Sequence, residues 1–417
     1  MVLYNNEGGI MDKNKLNKYA QLIVEVGVNV QKEQLVVINS PVECREFTRL
    51  IVENAYKRGA SQVIVKWSDD IVSKAFYTYV GKEVLTEMPN YQIEEFKHFI
   101  NKGAAMISVS APTPGLLKDI ESWKIQLHSK TTNEHLNFYR KYFMDNQSQW
   151  TIASYPTERW ANKVFPGEDG VNKLLEAILD ACRVSDDNDP VLEWKEHIKK
   201  LAKNNMLLNN YDFSHLIFKN GLGTNLTVGL VDGHIWAGGG EVAKNGVDFA
   251  PNIPTEETFT MPHKNRVEGK VVATKPLNYQ GKLIEDFYFV FKDGKVVDYD
   301  AKKEKEALKN LLEFDEGSSS IGEVALISHD SPISNTGILF YNTLFDENAS
   351  CHLALGNAYT MNLKDSEKMS EEEMIEKGYN KSFTHVDFMF GSADMEVIGV
   401  TKQNKRIQVF KNGNFVF

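Results

Sequence analysis

The chain has 417 residues, 42% hydrophobic and 25% charged, which is enough for a sizeable core in two or three domains of ~150 residues and excludes bulk disorder. Its formal charge of -10, from 57 acidic against 47 basic residues, favours solubility and argues against a nucleic-acid partner, which would want a basic patch. Three widely spaced cysteines, Cys44, Cys182 and Cys351, without a Cys-x-x-Cys, exclude a disulfide framework and a thiolate zinc finger. No apolar run approaches the ~18 residues of a membrane span. Residues 1–9 lack the basic and apolar regions of a signal peptide, so a reducing cytoplasm is the expected location.

The polar stretch up to Met11 reads as an extension with no fold of its own. Helical periodicity opens at Lys15, with Leu16, Tyr19, Leu22, Ile23 and Val26 on one face. Residues 34–39 read as a buried strand, 43–57 as an amphipathic helix ending at Arg58-Gly59, and 62–67 as a second strand. That order is a βαβ unit and predicts a parallel sheet, which residues 104–109 and 150–154 continue. No glycine fingerprint of a dinucleotide site or P-loop follows these strands. A helix is expected from 187–190 to about Leu208, with Pro190 near its first turn.

Beyond it the texture becomes short β-like runs separated by Gly and Asn: 214–218, 224–228, 266–272, then 287–291 turning through Asp293-Gly294 into 296–299. One helix, 302–312, intervenes. The fold class expected is an α/β amino-terminal domain with a largely parallel sheet (11–205), followed by a mostly antiparallel β (α+β) carboxy-terminal domain (206–417).

Four segments of the second domain carry candidate donors. Residues 382–391 alternate like a strand, so His385 and Asp387 point from one face, side by side, a geometry a divalent metal accepts. Glu256 and Glu257 follow Pro254-Thr255, Glu323 starts an apolar strand, and His352 and Tyr359 flank the apolar run Leu353-Ala354-Leu355. A buried carboxylate or imidazole is costly unless paired or metal-bound, so a metal centre would satisfy these groups together. Blander readings stand beside it. A lone His-x-Asp pair is more often a surface hydrogen bond, Glu256 and Glu257 read equally as solvated loop carboxylates, and Glu323 as a strand-end ion pair. Tyr359 reads as a core aromatic. Cys351 faces away from His352 by strand alternation and reads as packing, while His234, His263 and His329 read as structural or surface residues.

Several stretches together resemble the M29 metallopeptidases, the aminopeptidase T family. They are Pro254-Thr255-Glu256-Glu257, Phe259-Thr260, Arg266-Val267-Glu268-Gly269, Thr274-Lys275-Pro276-Leu277, residues 223–230, His234-Ile235-Trp236 and the long run 340–356. The resemblance covers nearly the whole chain and is most specific in the second domain. It implies a two-metal aminopeptidase with ligands at Glu257, Glu323, His352, Tyr359, His385 and Asp387, acting on short peptides with a free amino terminus, and a homodimer. Thr258 stands where the family tends to carry an aliphatic residue, and no donor is missing.

All six groups are oxygen or nitrogen donors, which suits zinc, cobalt or manganese without choosing among them. Two ions ~3.5–4 Å apart would need a bridging carboxylate, for which Glu323, fixed at a strand terminus, is the candidate. Glu256 is the candidate proton carrier to the leaving amine. Two other readings remain: a metal-dependent amidohydrolase for non-peptide amides or esters, and a non-catalytic metal- or peptide-binding protein.

Overall fold

The structure, a computed structural model, describes residues 13–280 and 282–417, together with the backbone pairing of Leu3–Tyr4 with Ile10–Met11. Apart from that pairing, the stretch expected to lack a fold of its own lies outside the described residues. The chain forms two compact units, Met1–His197 with Gly240–Pro254, and Ile198–Gly239 with Thr255–Phe417.

The first unit is built on four parallel strands: β1 (Leu35–Pro41), β2 (Gln62–Ser68), β3 (Ala105–Ser110) and β4 (Trp150–Ser154), in the order β2-β1-β3-β4. The central strand β1 is an apolar run because helices cover it: Val36, Val37 and Ile38 are fully buried. The crossover helix Arg45–Lys57 lays Phe47, Leu50, Ile51 and Ala55 inward, and Phe47 stacks between Tyr19 and Tyr155 at 5.0 and 4.9 Å. Residues 240–254 belong here because they hydrogen-bond to β4: Thr151 Oγ1 donates to the Ala250 carbonyl, and Ile152 N to that of Pro251. Among the described residues, no helix is long and apolar enough to cross a membrane.

The second unit contains two antiparallel sheets. The larger uses β5 (Phe213–Lys219), β6 (Asn225–Leu230), β8 (Pro262–Val272), β9 (Leu277–Tyr279), β10 (Lys282–Lys292), β11 (Lys295–Lys303), β15 (Glu396–Thr401), β16 (Arg406–Lys411) and β17 (Asn414–Phe415). Its order is β9-β10-β8-β6-β5-β15-β16-β17, with β11 paired to β10. The β10–β11 hairpin turns at Asp293-Gly294, both at positive φ (48° and 78°), as a tight two-residue turn requires. The smaller sheet comprises β7 (Thr258–Thr260), β12 (Ile321–Leu326), β13 (His352–Gly356) and β14 (His385–Met389), in that order.

Alternation divides the smaller sheet cleanly. Val324, Leu326, Leu353, Leu355 and Phe388 join the hydrophobic core of the larger sheet, where Phe388 packs 5.0 Å from Phe289 and 6.0 Å from Phe287. The alternate residues are left for the opposite face.

At two elements the shift from the expected limits has an evident local cause. The helix expected from Lys302 begins at Lys305, because Lys303 still pairs with Glu285 in the sheet and Glu304 turns the chain at φ 58°. The strand expected over 382–391 is confined to 385–389. Asp315 takes the preceding segment out of the ladder, accepting hydrogen bonds from Ser382 Oγ at 2.8 Å and Phe383 N at 2.6 Å.

Thr258 pairs with Leu326, and its Oγ1 is buried with no hydrogen-bond partner among the described residues. Leaving a buried hydroxyl unpaired costs about 1–3 kcal/mol, so Thr258→Val is expected to raise unfolding stability by about 1 kcal/mol, read from the urea midpoint. A lowered midpoint would mean that the hydroxyl is satisfied.

Candidate metal centre

Strand register assembles the site. Glu323 lies opposite Ala354, and Ala354 opposite Asp387, forming one row across β12, β13 and β14. In the next row Ala325 lies opposite His352, and His352 opposite Met389. Directly opposed residues share a face, so Glu323, His352 and Asp387 project to one side, and His385, two residues before Asp387, projects with them. Ala354 stands between the two carboxylates and is small enough to let both lean over it. Glu257 enters from the residue before β7, whose pairing with β12 holds it at the edge of this face.

The donors meet closely. Glu323 Oε1 lies 3.2 Å from His352 Nε2, and its Oε2 lies 3.7 Å from His385 Nε2, so one carboxylate spans both imidazoles. Glu257 Oε2 is 3.7 Å from His352 Nε2. Asp387 Oδ1 is 3.4 Å from His385 Nε2 and 3.9 Å from His352 Nε2. Both rings are aimed from behind: His352 Nδ1 donates to the Glu347 carbonyl at 3.0 Å, and His385 Nδ1 to the Asn357 carbonyl at 2.7 Å. A carbonyl only accepts, so Nδ1 keeps its proton and Nε2 faces the carboxylates, as in most metal-ligating histidines.

Tyr359 closes one side, its ring 4.8 Å from that of His385 and 6.0 Å from that of Phe259. Of the two adjacent glutamates, Glu257 brings its carboxylate to His352. Glu256 is buried, with its N–H donating to Asn348 Oδ1 at 2.9 Å. Cys351 packs away from the site, its thiol donating to the Ile327 carbonyl. His234 is buried and bonds the Val231 carbonyl, outside the cluster.

Sequence reasoning missed Glu347, which lies on the short turn Glu347–Ala349 with the centre's charges acting on it. A charged residue inside a run whose neighbours Leu344, Phe345 and Ala349 all want burial was the signal that could have found it.

So many carboxylates in one buried place perturb each other. Burial, then the charge of Glu323, pushes Glu257 up to about 8. Burial, then Asp387 and Glu257, pushes Glu347 well above the usual carboxylate range. Burial alone would lower the His352 imidazole, but the Glu323 hydrogen bond and the charges of Asp387, Glu323 and Glu257 outweigh it, raising His352 to about 10. His385 is likewise raised to about 10, burial opposing and Asp387 leading the attraction. For Asp387, burial works against ionisation, yet His385 and then His352 hold its carboxyl below the usual range. Burial, then Glu323, pushes the Tyr359 phenol well up.

A divalent cation fits this donor set. Glu257, Glu323 and His352 each offer one ligand atom, all within 4.8 Å of one another. Asp387 Oδ1 is buried with no hydrogen-bond partner among the described residues, so it has capacity to spare. Buried oxygens beside imidazole nitrogens, with no thiolate, suit a hard or borderline ion.

Comparison with known proteins places this geometry in context. Residues 12–415 match the family described as thermophilic metalloprotease (M29). Aminopeptidase AmpS of Bacillus subtilis is 47% identical over 97% of this chain and 98% of its own. Aminopeptidase 2 of Geobacillus stearothermophilus is 44% identical, again over 97% and 98%. Among solved structures, wild-type AmpT from Thermus thermophilus superposes with a TM-score of 0.91 at 36% identity, covering 97% of this chain and 100% of that one.

At pH 7 the metal-free site holds protons on His352 and His385, raised to about 10, and largely on Glu257, raised to about 8. Metal ligation needs these groups deprotonated, so binding is expected to release about two to three protons near neutral pH, with affinity rising with pH toward 10 and falling below 7. Calorimetric titration of zinc or cobalt into chelator-treated protein, in buffers of different ionisation enthalpy, counts them. Near-zero release would contradict the protonated resting state.

Proposed function

The chain belongs to the thermophilic metalloprotease family, M29, and we propose on that footing that it is a metal-dependent aminopeptidase, releasing residues from the free amino ends of short peptides. The observation that carries the reading is the convergence of Glu257, Glu323 and His352, with donor atoms within 4.8 Å of one another, on one face of the small sheet. The names of its relatives, aminopeptidases at 47% and 44% identity along nearly their whole length, support the same activity.

In this reading two divalent ions, zinc, cobalt or manganese, are held by Glu257, Glu323, His352, Tyr359, His385 and Asp387, with Glu347 added to the set. Bound ions supply Lewis acidity, polarising the scissile carbonyl and making water acidic enough to serve as nucleophile near neutral pH. The chain's own groups do the rest. Glu323, whose two oxygens already address different histidines, would be the carboxylate shared by the ions. The backbone carbonyls of Glu347 and Asn357 fix the ring planes, so the site keeps its geometry while substrate enters. Asp387, whose carboxyl the two imidazoles keep ionised, is the proposed anchor for a free α-ammonium group, which would restrict cleavage to the amino end. Glu256, buried beside the site, is the proposed carrier of the proton to the leaving amine. The unit of Ile198–Gly239 with Thr255–Phe417 carries the donors and serves as the catalytic part, in place of the expected 206–417, and the other unit, in place of the expected 11–205, serves as the scaffold. The working form is a cytoplasmic homodimer.

His385→Ala and Glu323→Ala are each expected to lower kcat/KM by more than the roughly 100-fold that loss of an outer partner costs a metal site, with the circular-dichroism spectrum unchanged. The assay compares aminoacyl p-nitroanilides with their amino-terminally acetylated forms, after chelation and reconstitution with zinc, cobalt or manganese. Near-normal turnover by either variant would remove it from the site. Equal cleavage of free and acetylated substrates would overturn the aminopeptidase reading.

A further inference from the structure

Beside the metal centre, on the same side of the small sheet, lies a cavity of about 50 Å³. Half of its lining residues are polar, Asp387 and Glu347 among them, and Leu277, Leu283, Leu339, Tyr341 and Met389 supply apolar wall. Met389 belongs to β14, directly opposite His352, so the cavity floor and the donor face are carried by the same strands. One wall is the β9–β10 hairpin, where Asn278 lies opposite Leu283. The segment leading into it is tied to the end of β14, as Thr274 N donates to the Met389 carbonyl at 2.8 Å and Thr274 Oγ1 to that of Gly391 at 2.9 Å.

Another part of the lining is held under strain. Tyr341 sits at φ 54°, a left-handed conformation that bulky residues rarely adopt. Its neighbours are strapped to one buried carboxylate: Phe340 N donates to Asp346 Oδ1 at 2.8 Å and Asn342 N to Asp346 Oδ2 at 3.1 Å. The Phe340 ring stacks on Phe345 at 4.6 Å. Strain over-determined in this way gathers where a side chain must be kept in one place for binding, and here it keeps Tyr341 at the cavity wall.

We propose that this cavity is the subsite for the side chain of the substrate's amino-terminal residue, and that its narrow space and aliphatic walls select leucine and methionine. The inference rests on the aminopeptidase reading and adds the specificity. A substrate whose α-amine meets the carboxylate of Asp387 has its Cβ directed at the adjoining apolar walls. Phenylalanine overfills the space and alanine leaves it unfilled.

Leu283 and Leu339 are only half-buried, so replacing them alters the cavity without hollowing the core. The metal-loaded wild type is expected to cleave leucyl and methionyl p-nitroanilides with higher kcat/KM than the phenylalanyl and alanyl compounds. Leu283→Ala should move the phenylalanyl-to-leucyl ratio upward by about tenfold or more, the scale of one or more methylenes in an apolar pocket, and Leu339→Phe should move the alanyl-to-leucyl ratio up similarly. Calorimetric titration with free L-leucine and glycine gives a second readout: leucine binds tighter in the wild type, and Leu339→Phe narrows the difference. Ratios that stay within about twofold in both variants while leucyl turnover persists would overturn the subsite. If the wild type cleaves no free-amine substrate, the aminopeptidase reading fails instead, and the leucine-against-glycine titration still decides whether the cavity takes a side chain.

Discussion

The constraint on which the second unit depends is the burial of like charge. Glu323 and Asp387 project from one face of a four-stranded sheet whose other face is sealed against Phe287 and Phe289, and Glu257 and Glu347 join them from the segments that precede β7 and β13. Carboxylates brought this close out of water cannot all ionise unless positive charge is brought to them. Without metal, two imidazoles answer, retaining their protons far above the ordinary range. The fold therefore stores a proton load where a divalent cation belongs, and the protonated and metal-filled states are competitors for one set of lone pairs.

The scaffolding around the donors follows from that cost. The second nitrogen of each imidazole is bound to a main-chain carbonyl, so the rings do not turn to find better partners. Small residues are placed where bulk would drive the acids apart, as at Ala354. Gly238, at φ 127°, is another such place: a Cβ there would come within 2.3 Å of the Glu257 carbonyl oxygen, so its segment packs tightly against the backbone that presents Glu257. Asp315 and Asp346 show how the same chemistry serves architecture when the acid meets backbone N–H groups instead of other acids, one trimming β14 and the other strapping the cavity wall.

Much of this is legible in the amino-acid sequence alone. Period-two alternation puts His385 and Asp387 on one face, and an apolar run broken by Glu323 marks it as an acid that burial forces to find a partner. The parallel sheet follows from the spacing of four apolar runs. What stays hidden is whatever depends on pairing between distant strands. Nothing in the local pattern says that Ala354 stands between Glu323 and Asp387, because register is a property of two segments. Glu347 is hidden for a related reason: it sits on a single 3-10 turn, where neither period applies. Some strand and helix limits shift where a local contact overrides the pattern, as Asp315 does at Ser382 and Phe383 and as the pairing of Lys303 with Glu285 does before the helix. The choice between Glu256 and Glu257 lies beyond periodicity altogether, since both precede the strand that fixes them.

The two-sided alternation of β12, β13 and β14 also bears on how such a chain can change over time. Along each strand, core contacts and donors occupy interleaved positions, so losing or gaining one residue would swap the two sets, sending imidazole and carboxylate into the Phe287–Phe289 core and leucine into the metal site. Point substitutions on either face act separately, whereas length changes within these strands fail twice at once. Variation in length is thus confined to the connecting segments, and the Tyr341 turn is such a segment. That part of the cavity wall can be remodelled by descent while the strands that carry the donors keep their count.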